Sequence, residues 1–101
     1  MYIIYQYPKM PYSPIHSYAF SGNKESLLKC IKDINVNVKN PFSWTALHIA
    51  SWVGNYDVVQ CLIEQPDINV HITDNQGRSP LDVAKSNGHS DIVNLLASYN
   101  T

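Results

Sequence analysis

Charge is scarce in this chain. Only 15% of its 101 residues are charged, against roughly 25% in an average soluble protein. A net charge of -1 offers no basic stripe to a phosphate backbone, so no nucleic acid is expected as a partner, and an anionic membrane is equally unsupported. Long apolar runs are missing as well: none exceeds a few residues, whereas a bilayer-spanning helix needs about 20. No basic segment accompanies the opening Tyr2-Ile3-Ile4, so the start does not read as a secretory signal. Cysteine is limited to Cys30 and Cys61. Two thiols make no disulfide framework at this length, and their expected state is reduced, in a cytoplasmic or nuclear setting. Phosphate loops, nucleophile elbows and paired-histidine zinc motifs are also absent from the sequence, so the expectation is no cofactor, no metal and no catalytic site. Asp57, Glu64 and Asp91 stand singly and read as solvated.

What the chain does have is an internal repeat within the span of one domain. Ser13-Pro14-Ile15-His16, Thr45-Ala46-Leu47-His48 and Ser79-Pro80-Leu81-Asp82 line up at nearly equal intervals. A glycine follows each leading hydroxyl nine residues later (Gly22, Gly54, Gly88), and Asn23, Asn55 or His89 comes next. Each unit then ends in a helically spaced apolar set, such as Val58, Val59, Leu62 and Ile63.

Each recurring residue has a physical task. The hydroxyl accepts from an orphan backbone N–H and caps a helix. Pro14 and Pro80 occupy the first helical position, where a missing N–H costs nothing. Ile15, Leu47 and Leu81 point inward, and the glycine ends the helix in the left-handed conformation. The pattern predicts helices at about 14–21, 24–32, 46–53, 56–64, 80–87 and 90–98. Between the pairs, Asn40-Pro41-Phe42-Ser43 and Asp74-Asn75-Gln76-Gly77 carry the residues of type I turns, so a turn finger is expected at each junction.

Thr45-Ala46-Leu47-His48-Ile49-Ala50 is followed by Gly54-Asn55, and Asp74-Asn75-Gln76-Gly77-Arg78-Ser79-Pro80-Leu81 follows in the next unit. These residues, at the period expected of ankyrin units, resemble the ankyrin-repeat family. The resemblance covers residues 13–101. It implies an all-α ankyrin-repeat solenoid of about three helix-turn-helix repeats with β-turn fingers. The divisions are an N-terminal segment at 1–12, a degenerate first repeat at 13–39, and repeats at 40–73 and 74–101. Three positions depart from the family pattern. Tyr18 stands where a small alanine is usual, Pro8-Lys9-Met10-Pro11 lacks the Asp and Gly of a first finger, and Ser43 replaces a turn glycine.

The resemblance also assigns roles. His16 and His48 are expected to bond the capping hydroxyl and neighbouring backbone rather than a metal. Stacked helices lie about 8–10 Å apart and zinc ligands about 2 Å from their ion, and Asp82 breaks the series. His71 and His89 are expected to face solvent or bond locally. Cys30 and Cys61 read as small apolar packing residues.

Function follows from the family's concave face, built of fingers and first helices, which implies a non-catalytic module for a protein partner. The family's variable positions fall on Phe20 in repeat one, on Phe42, Trp44, Trp52 and Val53 in repeat two, and on Asn75, Gln76 and Arg78 in repeat three. Grouped aromatics at such positions suit a binding hot spot, and both indoles are expected to face solvent and contribute little to folding. The alternatives are an architectural or self-associating module, or a piece of a larger ankyrin protein. A monomer is expected, with self-association as its rival. Residues 1–12, with Tyr2-Ile3-Ile4-Tyr5-Gln6-Tyr7 of high β-propensity, read as a cap on the stack or as an open strand.

Overall fold

The computed structural model of the chain describes residues 14–99. The expected cap at 1–12 and the helix-capping hydroxyl of Ser13 lie outside the described residues. Six helices follow in order: α1 (Pro14–Ser21), α2 (Lys24–Cys30), α3 (Ala46–Val53), α4 (Tyr56–Ile63), α5 (Pro80–Ser86) and α6 (Ser90–Tyr99). No strand occurs among the described residues. Helices α1, α3 and α5 pack side by side as one layer, α2, α4 and α6 as a second, and each pair forms a hairpin. The helix-turn-helix solenoid expected from the repeat is the observed architecture.

The caps work as their chemistry dictates. Thr45 Oγ1 accepts from His48 N at 3.3 Å, and His48 Nδ1 in turn accepts from Thr45 N at 3.2 Å. Ser79 and Asp82 form the same reciprocal box at the start of α5, with Pro80 as its first helical residue. Each helix end of this kind leaves orphan N–H groups that a Ser, Thr or Asp side chain satisfies, worth about 1 kcal/mol apiece. Gly54 closes α3 at φ 94°, a left-handed geometry that costs an L-residue about 1–2 kcal/mol. An added Cβ would also lie 2.7 Å from His89 Cε1, so that imidazole would have to shift to admit a side chain.

The core runs through the stack. Ile15, Leu27, Leu47, Val58, Val59, Leu62, Ile92 and Leu96 are all buried, and burying one such side chain is worth about 1.5–3 kcal/mol. Tyr18, in place of the small residue, packs half-buried against this core. Leu81 is also only half-buried, because α5 packs on α3 and α6 and no further repeat lies over it among the described residues.

Polar ties join the repeats in both directions. His16 Nε2 meets Trp44 O at 2.9 Å and His48 Nε2 meets Arg78 O at 3.0 Å. A carbonyl only accepts, so each ring donates from Nε2. Burial holds both imidazoles below their ordinary pKa, which keeps them neutral. At the third position Asp82 turns back to Ser79 instead. In the other direction Asn55 Nδ2 donates to Ala19 O at 2.9 Å, and Asn87 Nδ2 donates to Trp52 O at 2.9 Å. His89 Nε2 reaches the same Trp52 carbonyl at 3.0 Å. This corrects the expectation for His89, which bonds across repeats because its ring lies against the C-terminal end of α3, at Trp52 and Gly54. His71 is exposed, as expected.

Candidate functional site

The two fingers are built alike. Asn40 Oδ1 accepts from Phe42 N and Trp44 N, and Asp74 Oδ1 accepts from Gln76 N and Arg78 N. In each finger the first side chain thereby folds the next four residues into a turn, as short Asx side chains do. Ser43 N then donates to Asn40 O, and Gly77 N to Asp74 O. Gly77 sits at φ 78°, and its counterpart Ser43 at φ 64° is the one non-glycine with positive φ among the described residues. Ser43 Oγ lies 2.8 Å from Asn75 Oδ1 and donates to it, which links neighbouring fingers.

Asp74 has a second oxygen, and it organises the site. Oδ2 accepts from Trp44 Nε1 at 2.8 Å and from Arg78 Nε at 3.0 Å, with an Arg78 terminal nitrogen at 2.9 Å. Burial by itself pushes this carboxyl up. The donors, led by Arg78 N with Trp44 Nε1, Gln76 N and Arg78 Nε, outweigh burial and hold it well below the usual carboxylate range. The Trp44 ring is thus clamped. It stacks on His48 at 5.9 Å between centroids, meets Trp52 edge-on at 5.6 Å, and carries the Arg78 guanidinium 5.9 Å from its centroid.

Between finger and helix lies a groove of about 340 Å³, lined by Phe42, Trp44, Trp52, Asp74, Asn75, Gln76 and Arg78. Phe42 is 55% exposed and Trp52 43%. Phe20, 53% exposed at the end of α1, extends the aromatic line with its ring 6.4 Å from Trp52. Six of the eight expected contact residues therefore line one groove, and Phe20 adjoins it through Trp52. Val53 is exposed at the end of α3 but does not line the groove. Trp44 departs from its expected exposure. It is half-buried and packed against the core, because Asp74 draws its indole N–H inward and two rings and a guanidinium cover its faces.

Asp74 itself was legible only as a turn former. Its second role depends on Trp44 and Arg78 converging on one oxygen, and the one sequence signal is an ionised Asp where the preceding finger has Asn40. The site's chemistry is apolar contact with a polar rim. No group of three or more His, Cys, Asp or Glu side chains able to hold a metal occurs among the described residues. Cys61 is buried and Cys30 half-buried, both as free thiols whose pKa burial pushes up. No helix among the described residues is long and apolar enough to cross a membrane.

Comparison with known proteins agrees with this geometry. The family model for ankyrin repeats (3 copies) matches residues 15–101. Among similar proteins, the mitochondrial liver isoform of glutaminase from Rattus norvegicus is 37% identical over 82 residues, 80% of this chain and 14% of that protein. Alpha-latrocrustotoxin-Lt1a from Latrodectus tredecimguttatus is 36% identical over 88 residues, 83% of this chain and 6% of the toxin. Rabankyrin-5 from Mus musculus is 47% identical over 55 residues, 54% of this chain and 5% of that protein. The chain thus spans 14% or less of these relatives. The helix pairs, the turn fingers, the histidine ties and the matched residues 15–101 together show that the chain belongs to the ankyrin-repeat family.

Proposed function

We propose that this chain is a non-catalytic module that binds a protein partner through its concave face. Phe20, Phe42, Trp44, Trp52, Val53, Asn75, Gln76 and Arg78 make the contact, and the repeats divide at 13–39, 40–73 and 74–101. One observation carries the reading. Phe20, Phe42 and Trp52 remain in water along a single line although the core beside them is closed. Large rigid side chains left exposed together favour binding over folding, and truncating a hot-spot aromatic costs about 2 kcal/mol or more in affinity. The free thiols suit a cytoplasmic or nuclear site of action. A second reading, an architectural segment within a longer ankyrin protein, is supported by the small share of each relative that the chain covers.

The test is a quantitative pull-down from the source cell with wild-type protein, Phe42→Ala and Trp52→Ala. The expected result is a specific protein that both variants lose at least tenfold while their circular dichroism stays wild type. Equal capture by all three proteins would remove the concave face from the function. A stable dimer at low concentration with no captured partner would favour self-association.

A further inference from the structure

The Asp74–Arg78 pair is electrically lopsided. The Asp74 side chain is 2% exposed and the Arg78 side chain 39%. Water at the rim of the groove therefore meets the cation, while the anion sits beneath it with both oxygens engaged by backbone, indole and guanidinium donors. Nε and one terminal nitrogen of Arg78 face Asp74, which engages two of the five guanidinium N–H groups. An approaching cation meets Arg78 already seated over the Trp44 face, so the ring's attraction for positive charge is spent. An approaching carboxylate meets N–H donors of matching planar geometry. Beside them stand the exposed rings of Phe42 and Trp52, in a groove of about 340 Å³ with room for one large apolar side chain.

From this juxtaposition, and resting on the concave-face reading above, we infer that the groove takes an acidic-apolar segment of the partner protein. Its large apolar residue seats against Phe42 and Trp52, and an Asp or Glu close to it in sequence pairs with Arg78. Charge complementarity of this kind sets which partner binds and how fast it arrives more than raw affinity.

The probe is a random peptide library displayed on phage and selected against the full chain. The expected winners carry Leu, Met, Phe or Trp with Asp or Glu nearby. As synthetic peptides they should bind wild-type protein at least tenfold better than Trp52→Ala or Phe42→Ala. Replacing the peptide's acid with Gln or Asn should also cost at least fivefold on the unaltered protein, with an effect that shrinks in high salt. Placing that change in the peptide keeps the protein's fold out of the comparison. Winners that need Trp52 and Phe42 but are basic or uncharged would overturn the acidic assignment and leave the concave-face reading standing. Winners indifferent to both protein variants would overturn the two together. No enrichment over an unrelated protein would overturn the peptide assignment.

Discussion

Replacing Asp74 with Asn separates the two tasks of one side chain. The amide oxygen still accepts from Gln76 N and Arg78 N, as Asn40 does for its own finger. In place of Oδ2, however, it sets an NH2 group before three donors: Trp44 Nε1, Arg78 Nε and the Arg78 terminal nitrogen. The lost indole bond is charge-assisted and half-buried, worth about 1.5–3 kcal/mol. The ion pair adds no more than about 1 kcal/mol, because the Arg78 side chain is partly in water. Asp74→Asn should therefore lower the unfolding free energy by about 1.5–4 kcal/mol at pH 7, read from urea melts with an unchanged slope. The sign of the pH effect follows from linkage. The carboxyl titrates lower in the folded chain than in the unfolded chain, where its pKa is about 3.9, so its contribution is complete above that value and fades as pH falls below it. The gap between wild type and variant should accordingly narrow at pH 3. A cost no larger than that of an ordinary surface substitution, or an equal cost at both pH values, would show that Asp74 does not clamp the finger.

Three further outcomes are expected. Ser43→Gly relieves a left-handed residue at φ 64° and should raise stability by about 0.5–1 kcal/mol, despite losing the exposed bond to Asn75; a lower melting temperature would mean that the bond between fingers outweighs the strain. Ser51 Oγ is buried without a hydrogen-bond partner, so Ser51→Ala removes an unmet polar group from a helix interior and should add about 1 kcal/mol in a denaturant melt, whereas a destabilised variant would reveal that the hydroxyl is bonded. His16 and His48 titrate below the ordinary value of about 6.5 in the folded chain because they are buried; the unfolded chain then binds more protons, and stability should fall as pH drops through and below that value. Urea melts from pH 7.5 to 5.5 check this, and a flat profile that His48→Asn leaves unaltered would refute it.

The one-dimensional pattern determined the architecture because every part of it is local. A capping hydroxyl, a proline at the first helical position, an apolar face and a terminating glycine act within one turn or one helix. Thr45, Pro80 and Gly54 therefore do in the fold what their residue types require. Regular repetition supplied the rest, since a unit that cannot bury its own apolar face has to stack on its neighbour. Tertiary structure alone decided what the exposed-looking residues became. Trp44 and Asp74 are 30 residues apart, and whether that indole lies in water or under a guanidinium depends on the pitch between successive fingers. No periodicity records that pitch. The same distance effect sends His89 to the Trp52 carbonyl, 37 residues earlier. Burial of the Asp74 charge with Arg78 left at the rim is likewise a property of two fingers in contact. Residue types announce a turn and an aromatic cluster, and only their packing against one another sets which charge the groove presents.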